Sequence, residues 1–538
     1  MSAGQAAKGL KLAKGDLHPF SGMDVPWLVE TRAATRRDHP FLVWEPFEGE
    51  SETITYGQFH ARIVRIAGGL AKRGVARGDR VLIHLENCPE ALLAWYACAW
   101  LGAVAVTTNA RAVGDELAYY AENCGAVGGI TQPKFAELVA ASCKRLRWLA
   151  VTPTDGGTAP ARAPERASSF ATLDDEAPAR RAPDPLAPCS VQYTSGTTSR
   201  PKGVLWTHAN ALWGARINAV HEDLRPEDVH LVFLPLFHTN AQAYSVLACL
   251  WAGATAVIQP RFSASRFWPV SLARRCTWTS LVQFCVKALM EHEVPARHHY
   301  RLWGSSICAP PSDAHFRVKT LGWWGMTETI THGIVGNPHL PNRPLSIGRP
   351  APEYEIAIVE NDAVPVREAR HVEPGGSGNL MIRGIRGLSL FQEYFGNPQA
   401  TAQAFDPDGW FRTGDRVMLL EDGAIQFGDR TKDMLKVGGE NVAASEVERV
   451  ILQVPGVREC AVVARKHPML DEVPVAFVLA AGPAPAGLRN QVAAACAAQL
   501  ADFKRPREIR IVDEFPRVTL EKINKAELRR RLESEPMG

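Results

Sequence analysis

The feature that most constrains the fold is a regular alternation of helix-like and strand-like segments over residues 52–150. Tyr56–Arg73 has the apolar spacing of an amphipathic helix, and Arg80–Leu85 follows as a short buried strand. The same order returns with a helix over Pro89–Leu101 and a strand over Ala103–Thr108. Because strands that alternate with helices form parallel sheets covered by those helices, this region predicts a layered α/β domain.

The remainder of the chain falls into regions of different pattern. A second α/β region runs from Cys189 to about Ile334, and residues 347–427 carry short alternating strands between turn residues, which predicts a β-rich subdomain. Residues 152–185 are rich in Pro, Ala, Arg and Asp and predict an exposed connecting segment. We therefore expect a large N-terminal domain over residues 1–431 and a small, mobile α+β domain over residues 432–538.

Composition narrows the class of partner. Lys and Arg number 60 against 57 Asp and Glu, a net charge of +3 that excludes a chain-wide basic surface for nucleic acid.

The apolar stretches Ala91–Val106 and Ala243–Ile258 fall short of the ~20 residues of a spanning helix, so we expect buried helices running into strands and no transmembrane segment. Met1–Phe20 lacks the apolar core of a signal peptide. The 11 cysteines include no C-x-x-C pair, which favours reduced thiols in a cytoplasmic protein.

The segment Tyr193–Val204 carries the most specific chemical signal. Hydroxyl side chains surround Gly196 and the run closes on Lys202-Gly203, which supplies the backbone N–H groups, hydroxyls and cation that hold a polyphosphate. A Ser/Thr-rich surface turn would explain the hydroxyls, but not their position between a strand and an apolar continuation. Pro201 stands where a Walker A loop needs glycine, so a kinase or motor-type NTPase is disfavoured.

With its later motifs, the chain resembles the adenylate-forming superfamily of acyl-CoA synthetases, luciferases and peptide-synthetase adenylation domains. The resemblance spans about residues 30–530 in the expected order. In detail the motifs are most similar to those of crotonobetaine/carnitine–CoA ligases, for example in Glu393–Ala402 and Gly438–Val442. The resemblance implies a carboxylic acid–CoA ligase that uses ATP and Mg²⁺ and forms an acyl-AMP. The acyl group would then pass to CoA, with release of AMP and pyrophosphate.

The resemblance also implies a set of nucleotide-binding residues. The phosphate loop would comprise Thr194, Ser195, Gly196, Thr197, Thr198 and Lys202. In the motif that follows, Trp324 and Gly325 would lie against adenine, Thr327 would contact the α-phosphate and Glu328 would bind Mg²⁺. Asp415 would accept hydrogen bonds from both ribose hydroxyls, as an ionised carboxylate can, and Arg430 would assist there.

The small domain is implied to serve both half-reactions. Lys522 would stabilise charge during adenylation, Lys432 would be the hinge, and the segment with Lys436, Gly438, Gly439 and Glu440 would line the path of CoA. Taken alone, Lys522 belongs to a basic C-terminal run that is usually a solvated helix face. Leu520-Glu521 stand where the family usually has Ser-Gly.

The acyl group is expected beside His238, the family's aromatic gate, although a buried core histidine is the plainer interpretation of that residue alone. Trp303, Gly304 and Trp323 would form the rest of its pocket. Between Gly304 and Phe316 the chain is too short for the family's full helix, which predicts a reshaped wall.

Two alternatives to the CoA ligase stay open on the sequence alone. One is a stand-alone adenylating enzyme that passes the acyl group to a carrier protein, and the other is a non-catalytic nucleotide-binding paralogue.

Overall fold

The computed structural model describes residues 18–156, 165–194, 201–430, 434–516, 523 and 525–535. It contains an eight-stranded sheet that is parallel over six strands and closes at one edge with two antiparallel strands. From that edge, the strands are Glu393–Tyr394, Lys202–Thr207, Pro188–Thr194, Val104–Thr107, Arg80–His84, Gly128–Thr131, Leu149–Val151 and Ala167–Ser169.

A nine-stranded sheet, parallel in its central six strands, forms the second layer. In spatial order its strands are Arg349–Pro350, His332–Val335, Lys319–Gly325, Leu302–Ser305, Trp278–Ser280, Val229–Val232, Thr255–Ile258, Pro40–Trp44 and Glu52–Thr55. One buried core joins the two sheets and includes Phe41 and Ile83, one from each sheet. The two sheets and the helices between them therefore form one layered α/β unit.

Two smaller sheets complete the fold. The β-rich part is a four-stranded antiparallel sheet of Glu355–Val359, Ser377–Arg383, Trp410–Leu419 and Ile425–Arg430. The C-terminal part has a five-stranded sheet of Met434–Val437, Glu440–Ala443, Val457–His467, Asp471–Ala480 and Glu508–Val512. The C-terminal sheet has its own cores.

The α-helices in chain order are α1 Val25–Thr35, α2 Tyr56–Lys72, α3 Pro89–Leu101, α4 Gly114–Cys124, α5 Pro133–Ser142, α6 His208–His221, α7 Ala248–Ala252, α8 Ala264–Ala273, α9 Gln283–Leu289, α10 Ser312–Phe316, α11 Pro398–Ala404, α12 Ala444–Leu452, α13 Leu488–Gln499 and α14 Lys525–Glu533. A π-helix over Asn240–Leu247 leads into α7, and 3₁₀ turns cover Phe170–Leu173 and Asp502–Lys504. Among the described helices none is both long and apolar enough to cross a membrane.

The strongest local patterns in the sequence form the predicted elements. The capping box of Thr55 and Gln58 starts α2, and α3 runs from Pro89 at its first turn to a left-handed Gly102 at its end. Both 16-residue apolar stretches are buried helix running into strand, because α3 and α7 each lead to a strand of the core. The mixed α/β architecture with a β-rich part and a small α+β part is confirmed.

The connecting segment 152–185 does more than link two regions. Ala167–Ser169 adds the edge strand of the eight-stranded sheet, and Phe170 and Leu173 are buried beside it. Arg181 also pairs with the buried carboxylate of Asp24 at 2.9 Å. The described part of this segment is therefore fixed to the large domain by backbone pairing, apolar burial and an ion pair.

Candidate active site

Glu328 and Lys202 approach the same tyrosine. Glu328 is 4% exposed, and its Oε1 accepts a hydrogen bond from the Tyr394 hydroxyl at 2.9 Å. The Lys202 ammonium lies 4.6 Å from the centre of the Tyr394 ring. Burial raises the pKa of Glu328, although the Tyr394 hydrogen bond and the Lys202 charge oppose that shift. One anion and one cation thus meet where a metal-bound phosphate could be held.

The predicted phosphate loop leaves the eight-stranded sheet at this point. Thr194 and Lys202 face each other across two antiparallel strands, with the loop between them. Its central residues, Ser195, Gly196, Thr197 and Thr198, lie outside the described residues. The two described ends, Thr194 and Lys202, therefore lie at the edge of the sheet that carries Tyr394.

Thr327 is held from two directions. Its carbonyl accepts a hydrogen bond from the Trp206 indole at 2.9 Å, and its hydroxyl hydrogen-bonds the Thr239 hydroxyl at 3.1 Å. Thr239 also donates to Oε1 of Gln192 at 3.0 Å. The strand before the phosphate loop, which carries Gln192, thereby fixes the segment that carries Thr327 and Glu328.

Trp324 and Asp415 form the next part of the site. The Trp324 indole N–H donates to Oδ2 of Asp415 at 2.9 Å. The backbone of Asp415 pairs in register with that of Arg430, whose side chain is outside the described atoms. Gly325 approaches the Tyr244 hydroxyl of the π-helix. The residues predicted for adenine and ribose therefore adjoin one another.

The C-terminal part of the chain reaches the site through a glycine turn. Gly438 and Gly439 have φ of 58° and 86°, values that disfavour other residues, and Gly439 packs on Val282. The carboxylate of the next residue, Glu440, is hydrogen-bonded to Nε2 of His238, with 2.8 Å between Oε2 and Nε2. Burial would raise the pKa of Glu440, but His238, with Arg111 and Lys504, lowers it overall. The predicted gate and the predicted CoA segment are thus in direct contact.

Lys436 lies one strand earlier in the same part of the chain. Its backbone N–H donates to Oε2 of Glu472 at 2.7 Å, and its ammonium lies 5.6 Å from the centre of the Phe427 ring. The side chain therefore faces the β-rich sheet next to the turn.

The residues predicted for the acyl pocket separate onto two faces. Gly304 lies directly beneath the Trp323 indole, where a Cβ would overlap the ring. Trp323 stacks on His332 with 4.2 Å between ring centres and faces the π-helix. Trp303 instead packs on Phe316 of α10, with 4.9 Å between ring centres. The structure thus brings Gly304 and Trp323 together, but not Trp303.

The short segment before the adenine motif forms a helix of only five residues, α10. Its brevity follows from the few residues available between Gly304 and Lys319. Lys522 and Lys432, predicted for adenylation and for the hinge, lie outside the described residues.

Several residues that complete the site carry no motif signal of their own. Tyr394 lies in a stretch whose only sequence signal is its subgroup resemblance, and Thr239 directly follows the predicted gate. Their contacts with Glu328 and Thr327 depend on strands far apart in the chain. Tyr394 could have been singled out from its place in Glu393–Ala402, whereas Gln192 could not.

A layered α/β domain with these residues at one edge and a glycine turn brought up from a small C-terminal domain defines an AMP-forming acyl-CoA synthetase. The family model for AMP-binding enzymes matches residues 29–395, and the model for the C-terminal domain of AMP-binding enzymes matches residues 446–522. The chain belongs to the family of AMP-binding enzymes.

The relatives are CoA ligases. A crotonobetaine/carnitine–CoA ligase from Salmonella paratyphi B is 32% identical over 525 residues, covering 94% of this chain and 99% of the relative. These similarities support ligation to CoA over transfer to a carrier protein or a non-catalytic role.

Two solved structures of one enzyme compare differently with this chain. A double mutant of o-succinylbenzoate CoA synthetase from Bacillus subtilis, bound with a product analogue, has 26% identity and a TM-score of 0.79, covering 95% of this chain and 98% of its own. The same enzyme in complex with ATP and magnesium ion has 26% identity and a TM-score of 0.65, covering 94% and 99%. By TM-score, this chain therefore resembles the product-analogue complex more than the ATP complex.

Proposed function

We propose that Lys202, Thr327, Glu328, Trp324 and Asp415 bind one ATP molecule whose α-phosphate is attacked by the carboxylate of a small organic acid. The observation that carries this proposal is that Trp324 and Glu328, four positions apart, reach Asp415 and the pair Tyr394–Lys202 respectively. One short segment thus spans the distance between the ribose-binding carboxylate and the phosphate-binding cation. Adenine would lie against Trp324, and the ribose hydroxyls would donate to Asp415 beside Arg430.

Adenylation brings two anions together, so the protein must offset developing negative charge. Lys202 and the loop Thr194–Thr198 would hold the β- and γ-phosphates, Thr327 would donate to the α-phosphate, and Lys522 would hold the carboxylate against it. A single buried carboxylate suits Mg²⁺, which proteins often bind through one or two carboxylates together with substrate phosphates. When bound at Glu328, Mg²⁺ would neutralise charge on the phosphate oxygens.

Thioester formation would use a second arrangement of the C-terminal domain. We propose that residues 432–538 rotate about Lys432, which withdraws Lys522 and brings forward the turn of Gly438 and Gly439. Lys436 and Glu440 would border the path of the CoA arm. The contact between His238 and Glu440 and the greater similarity to the product-analogue complex support this arrangement for the present structure.

The acid is proposed to be small and to lie between His238 and Trp323. Because Trp323 covers Gly304, the wall there is aromatic and leaves little depth. The relatives act, by their names, on crotonobetaine and carnitine, so betaine-type acids are the first to test. Trp303, which packs on α10, is proposed to act only through the strand that it shares with Gly304.

A cytoplasmic location is proposed from the state of the cysteines. All 11 are free and buried, as expected in a compartment where thiols stay reduced.

The test is a panel of acids incubated with the purified chain, ATP, Mg²⁺ and CoA. The panel holds crotonobetaine, carnitine, o-succinylbenzoate, benzoate and a series of short-chain fatty acids. Acid-dependent release of pyrophosphate and AMP, with the acyl-CoA identified by mass, is the expected result. Pyrophosphate release without acyl-CoA, followed by loading of a holo carrier protein, would overturn the choice of acceptor. No pyrophosphate release with any acid of the panel would overturn the proposed site.

A further inference from the structure

Lys504 is buried between the large domain and the C-terminal part of the chain. It is 3% exposed, and its Nζ lies 2.5 Å from Oε1 of Glu116 and 2.9 Å from Oε1 of Glu446. Glu116 belongs to α4 of the layered α/β unit, whereas Glu446 lies in α12, in the same C-terminal part as Lys504. One lysine therefore joins a carboxylate of its own domain to a carboxylate of the other.

The ion cluster is complete only while the two parts are in contact. Burial would lower the pKa of Lys504, but Glu116 and Glu446 raise it above its ordinary value. Removing one partner while the two parts stay docked would leave the buried ammonium with uncompensated desolvation, which is strongly unfavourable. Because Glu116 comes from the large domain, the cluster favours this particular docking of the C-terminal domain over any arrangement that separates them.

Helix α4 also contacts the residues that flank the predicted phosphate loop. Glu116 accepts a hydrogen bond from the Tyr120 hydroxyl at 2.6 Å. The preceding residue, Tyr119, donates from its hydroxyl to the carbonyl of Pro201 at 3.0 Å. On the other side of the loop, the Tyr193 hydroxyl donates to Oδ1 of Asn123 at 2.6 Å. The helix that receives Lys504 thus contacts the chain on both sides of residues 195–200.

Neighbouring contacts show which docked arrangement the cluster accompanies. The Arg111 guanidinium lies 5.6 Å from the centre of the ring of Phe503, the residue before Lys504. In the same arrangement Glu440 meets His238 and Gly439 packs on Val282. Pairing of Lys504 with Glu116 therefore coincides with the glycine turn facing the site.

We propose that Lys504 is a positioning residue for thioester formation: with Glu116 and Glu446 it forms an interdomain latch that holds the C-terminal domain in the CoA-accepting arrangement. The latch must open for Lys522 to enter the site, so it acts on the second half-reaction and not on the first. This inference rests on the proposed two-step function and assigns the contact that selects between its two arrangements.

The test variant is Glu116→Gln, which removes the charge from the large domain but keeps an acceptor for Tyr120. Adenylation is measured by ATP–pyrophosphate exchange with crotonobetaine. Thioester formation is measured by single turnover of supplied crotonobetainyl-AMP with CoA. We expect Glu116→Gln to slow thioester formation about tenfold or more and to leave exchange within about twofold. Lys504→Gln should do the same, and Lys504→Arg should restore most of the rate. Glu122→Gln, an exposed carboxylate on the same helix, is the matched control.

A second readout needs no substrate. Lys287 and Asp471 face each other across the domains with 3.4 Å between Nζ and Oδ1, and cysteines placed at both positions can be joined by a short bismaleimide. All native cysteines are buried, so the engineered pair reacts first. Glu116→Gln in this background should reduce the rate of cross-linking severalfold.

The two readouts separate the possible failures. Unchanged cross-linking in Glu116→Gln and Lys504→Gln would overturn the latch, and so would an equal loss of both half-reactions. Absence of exchange by the wild-type chain with crotonobetaine and every other acid of the panel would instead count against the proposed function, and the cross-linking rates would still decide whether Lys504 docks the domain.

Discussion

The Trp324 indole N–H donates to the carboxylate of Asp415 at 2.9 Å, so the aromatic side chain proposed for adenine also orients the side chain proposed for ribose. Phenylalanine at position 324 would retain a ring for adenine and lose only this donor. Since a hydrogen bond to a charged group contributes about 1.5–3 kcal/mol, we expect Trp324→Phe to raise the KM for ATP by about tenfold with little change in kcat.

Initial-rate kinetics with varied ATP test this expectation. The control is Trp410→Phe, which makes the same change at another tryptophan, in the strand that carries Asp415. The Trp410 indole packs against the Arg383 guanidinium, so this variant should leave the KM for ATP unaltered. If Trp324→Phe leaves KM unaltered as well, the hydrogen bond plays no part in presenting Asp415.

Tyr394 should control the protonation of Glu328. Burial raises the pKa of this carboxyl, and the Tyr394 hydrogen bond opposes the rise. As pH falls through a raised pKa, the carboxylate that we propose binds the metal is lost earlier than an exposed one would be. Tyr394→Phe removes an opposing contribution, so the acidic limb of the pH profile for pyrophosphate exchange should move to higher pH.

The control uses Glu328 itself. Glu328→Gln should lower exchange by about 100-fold or more, and in that background Tyr394→Phe should no longer move the acidic limb. A limb that moves equally in both backgrounds would assign the titration to another group.

How far the sequence could predict this molecule depends on the range of the interaction. Pro89–Leu101 was predicted to the residue, because a proline start, a glycine end and a continuous apolar run act locally. The approach of Lys504 to Glu116 could not be predicted, since these residues are 388 positions apart and meet only through the docking of two separately folded parts. Trp303 shows a third case: it was predicted to line the acyl pocket, but the face on which its ring packs depends on α8 and α10.

Lys522 is expected to serve one half-reaction only. Lys522→Ala removes the cation proposed to hold the carboxylate and the α-phosphate, so acyl-AMP formation should fall by about 100-fold or more. Thioester formation from supplied acyl-AMP should stay near the wild-type rate. Retention of the first step would contradict the assignment.

Lys432→Pro probes the hinge by restricting rotation at one backbone bond. If rotation is needed between the steps, thioester formation should slow selectively, whereas equal loss of both steps would indicate a general effect on folding. Thermal unfolding of the variant distinguishes that case, because a selective hinge effect leaves Tm unaltered.

Glu222 should make the protein less stable as pH rises. It is fully buried, neither carboxylate oxygen has a hydrogen-bond partner among the described residues, and burial raises its pKa well above the ordinary value. His332 lies 4.0 Å away, but burial lowers the pKa of that imidazole, so it offers no positive charge. Below the ordinary pKa of a glutamate both states are protonated, and above it only the unfolded state releases the proton. The free energy of unfolding should therefore fall as pH rises, by up to about 1.4 kcal/mol per pH unit, until the native pKa is reached.

The variant Glu222→Gln cannot titrate, so its Tm relative to the wild type should rise between pH 5 and pH 8, measured by calorimetry. The exposed Glu227→Gln supplies the matched comparison, and parallel Tm curves for Glu222→Gln and the wild type would show that Glu222 is ionised in the native state.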